Sequence, residues 1–561
     1  MLKPLKMVFG MVLLLCAVPA FAQTVDTAWV RRYDGPANYE DQANDIAVDG
    51  SGNVYVTGTS ADFESYDYAT VKYNPTGTEL WVRRYNGPGN SGDAASAIAI
   101  DSSGNSYVTG VSWGNGTDLD YATIKYYSNG DTAWVRRYNG PGNGIDYANA
   151  IAVDGSGNVY VTGVSYASLT GGDYATIKYY SNGDTAWVRR YNGPGNSYDE
   201  ANAIAVDDSI NVYVTGYSTG NGTGYDYATV KYYPNGGTAW VRRYNGLTNS
   251  HDYAEAITID SSRNVYVTGY SGGSGPYGFP DYATIKYYPN GDTAWVRRYN
   301  GPGDSGDGAK DIAVDGSGNV YVTGHSYGSG TNNDYATIKY YPNGDTAWVR
   351  RYNGPGNFVD GANAISLDNS GNIYVTGYSV GSGTEWDYVT VKYNPNGDTV
   401  WVRRYNGPAD SSDLAYAIAV DDSGNVYVTG ESYGGSETGS DYCTIKYFPK
   451  STDVKDETEG QEKPSEFALS QNYPNPFNPT TAIRFKVEGQ RLKVPIPTTL
   501  KIYNVLGEVV RTLVNEKKLP GDYIVQWDGK NDKGEQLSSG VYFYELKVSD
   551  YTSAKKMVLL K

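Results

Sequence analysis

The sequence predicts an all-β fold: a β-propeller of four-stranded blades, eight by the repeat count with seven as the alternative, followed by a small immunoglobulin-like (Ig-like) β-sandwich. Three observations carry this. First, a Trp-Val-Arg-Arg-Tyr run recurs with its Trp at positions 29, 81, 134, 187, 240, 295, 348 and 401, a period of 52 to 55 residues, and a fixed period of that length marks an array or a propeller. Second, three further alternating apolar segments lie between consecutive copies, separated by Asn-Gly turns of the kind that close antiparallel hairpins. Third, Gly (69) and Tyr (57) dominate the 561 residues while helix formers are sparse, and Val, Ile, Thr and Tyr suit a pleated surface.

In chain order, "MLKPLKMVFGMVLLLCAVPAFAQ" places Lys3 and Lys6 before a short apolar run and Ala20-Phe21-Ala22 before Gln23. That is the pattern of a cleaved signal peptide over residues 1–22, with an apolar run too short to span a bilayer. The mature chain is expected to begin at Gln23 and to be exported. Cys16 lies in the apolar run, but Leu15 before it is larger than a lipid-modified cysteine accepts. With the signal removed, Cys443 is the one cysteine, so no internal disulfide is available and stability must come from packing. No other segment is apolar enough to cross a membrane, so no transmembrane segment is expected in the mature chain. The net charge of −17 argues against a nucleic-acid partner, since phosphate binding needs a basic surface.

The repeats fill residues 23–449. In one unit, "AIAVDGSGNVYVTG" (150–163) gives strand a, a tight turn and strand b, "DYATIKYY" (173–180) gives strand c, and "TAWVRRY" (185–191) gives strand d. Such a unit cannot bury both faces alone and needs neighbours to stack on. The array begins with a d strand, at Trp29, and ends with a c strand, "DYCTIKY" (441–447). The first d strand is therefore expected to complete the last blade, closing the ring and removing two open edges. Residues 450–466 are charged and nearly free of large apolar groups, as a linker is. Residues 467–561 hold roughly seven short alternating runs, which suggests a small sandwich.

The pattern "AIAVDGSGNVYVTG" followed by "DYATIKYYPNGDTAWVRRY" resembles the bacterial SBBP-type β-propeller repeat across residues 23–449. That resemblance implies a fold and no activity, and the family is usually seven-bladed. The C-terminal segment resembles the type A C-terminal sorting domain of the type IX secretion system, with a FlgD-like Ig sandwich. The resemblance rests on Asn475, Pro476, Phe477, Asn478 and Pro479, on "IYNVLGEVV", on "SSGVYFYEL" and on the terminal "KKMVLLK". It implies the type IX secretion machinery as a partner and passage through the periplasm across the outer membrane. It also implies release or attachment at the outer cell surface, often with removal of the sorting domain.

Candidate chemistry is sparse. The two histidines, His251 and His325, are read as lying in loops of different blades, and neither belongs to an HExxH or Cys/His pattern. G-x-S-x-G runs such as "GHSYG" (324–328) lead into no helix, so there is no nucleophile elbow, and Cys443 stands where the other copies carry a packing Ala or Val. Carboxylates form the only ordered rings. One Asp precedes strand a (Asp41, Asp93, Asp146, Asp199, Asp252, Asp307, Asp360, Asp413) and one opens strand c (Asp67, Asp120, Asp173, Asp226, Asp281, Asp334, Asp387, Asp441); a third sits in the a–b turn. Catalysis needs one asymmetric site rather than eight equal ones. The rings therefore read as turn caps and as partners for arginines, and no catalytic residue or metal ligand is assigned. A four-residue c–d turn would set Asp67 opposite Arg84, Asp120 opposite Arg137 and Asp173 opposite Arg190, as structural ion pairs. No cofactor is expected beyond calcium at the "DGSGN" turn, and that turn lacks the spaced acidic ligands of a calcium loop.

The b–c loops vary between copies while the a–b and c–d turns scarcely change. Strand direction puts the b–c and d–a loops on one end of the ring, and loops on a rigid scaffold are where binding lives. These loops carry Phe63, Trp113, Tyr166, Tyr225, Phe279, Tyr327, Trp386 and Tyr433 among Asn, Asp, Ser and Gly. Aromatic rings amid small polar groups suit carbohydrate or peptide surfaces. The expected function is a secreted or cell-surface binding or adhesion protein whose extracellular ligand is a glycan or a protein, and not an enzyme. The alternatives are a hydrolase or lyase acting on polysaccharide and a structural surface-layer component.

Overall fold

A computed structural model describes residues 25–449, except 168, 274–277 and 437, and residues 468–560, except 470–471, 473–476, 479, 488–494, 520 and 549–550. The expected signal peptide and linker lie outside the described residues, as do Asn475, Pro476 and Pro479. The chain divides after Asp453 into two compact units.

The first unit is a propeller of eight four-stranded sheets. Blade 3 is typical: strand a is Asp146–Val153, b is Val159–Ala167, c is Gly171–Tyr179 and d is Thr185–Tyr191, hydrogen-bonded in that order. In blade 8, strands Asp413–Val420, Val426–Gly435 and Gly439–Pro449 supply a, b and c, and Val25–Tyr33 from the start of the chain supplies d. Strand a of each blade packs on strand a of the next, and Asp41–Val48 of blade 1 meets Asp413–Val420 of blade 8. The ring is closed with eight blades, and the seven-bladed alternative falls.

Two sequence expectations need correction. Strand a begins at its Asp, earlier than the alternation indicates, because a bulge between Ala148 and Ala150 breaks the period of two. Opposite this bulge a Cβ on Gly163 would collide with the carbonyl oxygen of Tyr147, which is why "VTG" ends in glycine in every copy. The c–d register also differs: Arg137 pairs with Ala122 rather than Asp120, and Arg190 with Ala175 rather than Asp173. The turn is longer than four residues and a register shift follows Lys125 and Lys178. Each Asp therefore lies two residues beyond the position facing its Arg, on the same face of strand c, and the long guanidinium crosses diagonally to it.

The core lies between blades. Tyr160, Tyr174 and Trp187 of blade 3 pack on Ala201, Val212, Val214, Ala228, Val230 and Tyr232 of blade 4. Polar ends of the same side chains fasten the interface. The Trp187 indole N–H donates to the Pro234 carbonyl at 3.1 Å, the Tyr174 hydroxyl to Ala228 O at 3.0 Å, and Arg189 Nε to Gly236 O at 2.6 Å. The two arginines of the repeat therefore differ in task. The first reaches the next blade's c–d turn, while the second meets the strand-c Asp of its own blade. Cys443 is fully buried in the interface between blades 7 and 8, and burial pushes its thiol up to about 12.

The second unit is a small sandwich. Strands Ala468–Leu469, Thr481–Val487 and Gly521–Trp527 form one sheet, and Val509–Lys518, Ile496–Tyr503, Gly540–Val548 and Tyr551–Leu559 form the other. Phe477 is buried against Trp527, its N–H donating to Val558 O at 3.0 Å, so it ties the segment before the first long strand to the last strand. Asn478 beside it is exposed. No described helix is long and apolar enough to cross a membrane.

Candidate functional site at the variable mouth

The carboxylate rings are built into the frame. Asp146 accepts N–H groups from Gly140 at 2.6 Å and Tyr166 at 3.1 Å, which ties the d–a loop to the end of strand b. In the a–b turn, Asp154 Oδ1 accepts from Ser156 and Asn158 N–H, and Oδ2 from Asn158 Nδ2 and the Tyr160 hydroxyl. Burial would raise this carboxyl, and the hydrogen bonds together outweigh it and hold the group below its ordinary value. Both oxygens of the turn Asp thus serve the turn itself. The strand-c Asp meets the second Arg: Arg84 Nη2 is 3.0 Å from Asp67, Arg137 is 2.9 Å from Asp120 and Arg190 is 2.8 Å from Asp173. The same pair recurs in every blade.

Against this uniform frame, one arc of the mouth is different in each blade. Glu200, the second residue of strand a in blade 4, accepts the hydroxyls of Tyr198 at 2.7 Å and Tyr217 at 2.5 Å, and Asn149 Nδ2 of blade 3 at 2.9 Å. Burial raises both tyrosine hydroxyls well above their ordinary value, with Glu200 adding to the shift, so both stay protonated donors. From there the rings run on without a break. Tyr217 contacts Tyr225 at 5.0 Å and Tyr253 at 4.7 Å between centroids, Tyr225 contacts His251 at 4.9 Å, and Tyr253 contacts Tyr270 at 4.9 Å. Lys310 of blade 6 lies over the Tyr270 ring and pairs with Glu255 at 3.2 Å.

Beyond Lys310 lies His325, which sits in strand b of blade 6 (Val320–Tyr327) and not in a loop. Burial, with Lys310 beside it, lowers its imidazole to about 4, so it is neutral at physiological pH. Strand a makes room for the ring with Gly308, where a Cβ would stand 2.7 Å from His325 Cε1. A cavity of about 300 Å³ opens here, lined by Phe279, His325, Tyr327, Asn332, Asn333 and Val359.

Of the eight aromatics expected to form the binding face, Tyr166 and Tyr225 join the tyrosine arc, Tyr166 through Tyr198 at 5.9 Å. Phe279 and Tyr327 both line the cavity. Trp386 packs on Tyr378 at 5.9 Å, and Phe63, Trp113 and Tyr433 make no ring–ring contact among the described residues. Phe63 is 84% exposed at its loop tip. Trp113, Tyr166, Tyr225, Tyr327, Trp386 and Tyr433 lie at strand ends and not in loops, and sequence reasoning missed Glu200, Tyr217, Tyr253, Tyr270 and Lys310, which are strand residues too. The signal was present: the residue after the strand-a Asp is Gln42, Ala94, Tyr147, Glu200, Tyr253, Gly308, Gly361 or Leu414, a variable position inside a repeated strand.

Along strand a, Asp45 and Asp311 occupy the position just after the bulge, where the other six blades carry Ala. Each accepts its own strand's Ile N–H and that of the next blade, Ile98 at 2.9 Å and Ile365 at 2.8 Å. Burial pushes both carboxyls up to about 6, with Asp45 adding to the shift at Asp311. A carboxyl held above its unfolded value near 3.8 stabilises the fold fully below that value, and the contribution is lost as pH rises through about 6. The double variant Asp45→Ala/Asp311→Ala should therefore melt above the parent at pH 7.5, with the gain vanishing near pH 4. Paired thermal scans at the two pH values check this.

Comparison with solved structures returns matches of low identity. A solved structure of PorZ, described as an essential bacterial surface component of the type-IX secretion system of Porphyromonas gingivalis, is 13% identical over 92% of this chain and 74% of its own, with a TM-score of 0.34. Sqt1 from Chaetomium thermophilum is 11% identical over 76% of this chain and all of its own, TM-score 0.44. The polysaccharide lyase Uly1 is 12% identical over 75% of this chain and 98% of its own, TM-score 0.39. No curated protein matches the sequence. Family models do match: residues 29–62, 80–116, 133–169, 186–222, 239–276, 294–330 and 400–436 fit the SBBP β-propeller repeat, and residues 481–553 fit the FlgD Ig-like domain. The chain is thus built of SBBP β-propeller repeats followed by a FlgD Ig-like domain.

Proposed function

We propose that the propeller is a non-catalytic glycan-binding module, exported by way of the periplasm and the type IX machinery and working at the cell surface or beyond it. The observation that carries the binding role is the asymmetric arc from Tyr198 to His325, the one stretch of the mouth, among the described residues, where rings, carboxylates and a neutral imidazole form a continuous band over an otherwise repeated frame. Aromatic surfaces supply contact area for sugar rings, and Glu200, Glu255, Asn332 and Asn333 supply acceptors and donors for hydroxyls. The export route is supported by the signal-like start and by the C-terminal motifs, of which Phe477 is a core residue of the sandwich.

A glycan array and a panel of secreted proteins probed with the whole chain test this reading. Binding to an oligosaccharide is expected, weakened at least tenfold by Tyr225→Ala and largely kept by Tyr225→Phe, at an unchanged melting temperature. Absence of any glycan ligand would sink the proposal. A protein ligand would redirect it, and release of shorter sugars from a bound polymer would mark an enzyme.

A further inference from the structure

We propose that the seam between blades 8 and 1 holds one divalent cation of the calcium class, bound by Asp34, Asp41 and Asp441. The three come from different strands. Asp34 follows the closing strand Val25–Tyr33, Asp41 opens strand a of blade 1, and Asp441 lies in strand c of blade 8. One carboxylate oxygen from each falls within 4.8 Å of the others, and no other group of three His, Cys, Asp or Glu among the described residues does so.

The other interfaces of the same ring are the control. Each brings a strand-c Asp near the strand-a Asp of the next blade, as Asp173 near Asp199. In those seven copies the residue after the repeat's last Tyr is Asn (86, 139, 192, 245, 300, 353 and 406), and its side chain is tied into its own turn, as Asn192 Nδ2 to Asn196 Oδ1 at 2.8 Å. The seam alone carries Asp there. Three carboxylates then face a single guanidinium, Arg32, which donates to Ser432 and, of the three carboxylates, to Asp441 through Oδ2 at 2.6 Å.

A second observation lies outside the acidic cluster. In five other blades a Thr hydroxyl donates to the strand-c Asp: Thr117 to Asp120 and Thr170 to Asp173 at 2.9 Å, Thr223 to Asp226 and Thr331 to Asp334 at 3.1 Å, and Thr384 to Asp387 at 3.2 Å. At the seam, Thr438 Oγ1 and Asp441 Oδ1 are both buried without a hydrogen-bond partner, and Asp441 is only 3% exposed. Thr438 Oγ1, Arg32 Nη2 and Asp441 Oδ2 crowd round the place a Cβ on Gly434 would take, so the Thr oxygen belongs to the same cradle. Strand-c carboxylates elsewhere share the orphaned Oδ1, as Asp173 does, but there the Thr is satisfied and no third carboxylate stands by. Leftover buried oxygens of this kind call for a ligand. An all-oxygen donor set suits a hard cation such as calcium rather than zinc, and extracellular calcium sites commonly work at about 10⁻⁴–10⁻³ M.

Asp34→Asn gives the seam the residue of the other seven copies and so is expected to fold. The whole protein, stripped with EDTA, is titrated with calcium chloride by calorimetry and followed by thermal unfolding. Wild type should bind one equivalent and melt several degrees higher at about 10 mM calcium. Asp34→Asn should bind none, should not shift, and should melt above wild type in EDTA because a like charge is gone. Equal shifts in both proteins, binding of about eight equivalents, or no shift in wild type would each overturn the proposal.

Discussion

Deleting residues 25–33 should cost the propeller its cooperative fold: soluble protein is expected to fall sharply, with the remainder melting at least 10 °C below the parent. The deleted strand pairs with Gly439–Pro449 over its whole length, from Val25 opposite Pro449 to Tyr33 opposite Tyr442. It carries Trp29, 7% exposed, whose indole N–H donates to Pro75 O of blade 1 at 3.2 Å. Loss of one such Trp from a packed interface costs about 3–5 kcal/mol. The deletion also strips Arg32 from the buried Asp441 and leaves strand c of blade 8 as an open edge that invites aggregation. Size-exclusion chromatography and thermal unfolding read the result, and a synthetic peptide spanning residues 24–35 should restore part of the loss. A melting temperature within about 2 °C of the parent would show that the seam does not hold the ring.

The second large effect is expected from Arg190→Leu, which should destabilise the propeller by about 3 kcal/mol in urea unfolding. Arg190 Nη2 binds Asp173 at 2.8 Å and Ser165 O at 2.7 Å, with the arginine side chain 22% and the aspartate side chain 6% exposed. Removing the guanidinium leaves a carboxylate in the interior without its partner, and breaking such a pair is far more costly than never having had it. Adding Asp173→Asn to Arg190→Leu should recover a good part of the loss, a coupling that a double-mutant cycle isolates. Arg263→Ala is the contrast. Its partner Asp208 is 72% exposed, so a change within about 0.5 kcal/mol is expected. Equal losses for Arg190→Leu and Arg263→Ala would refute the structural role given to the ring of pairs.

Much of this architecture was legible because each copy of the repeat is an independent witness to the same rule. The Trp spacing, the exact bounds of strand d at Thr185–Tyr191 and the completion of blade 8 by Val25–Tyr33 follow from period and order alone. What escaped was local irregularity. The bulge at Ala148 hides the start of strand a, and the shift after Lys178 moves the Arg register by two residues. Both are single-residue events that alternation cannot register. At the mouth, eight aromatics were visible as a set, six of them in strands rather than the loops expected, but the tyrosine arc depends on positions such as Tyr217 and Tyr253, whose neighbours come from adjacent blades. Asp34 was visible too, as a departure from Asn. Its meaning depends on which strands meet at the seam.

The closing strand also fixes an order of events. Val25–Tyr33 is made before any other strand of the ring, yet its partner, Gly439–Pro449, is the last of the propeller to be synthesised. Every other blade can complete itself from about fifty consecutive residues, whereas Val30 must wait for Ile445. Contacts of such long sequence separation form late. Until Gly439–Pro449 is made the propeller is an unfinished arc with two open edges, and it can seal only when the sandwich domain is next to appear. The slowest contact of the ring is thus also the one that certifies that every blade has been made.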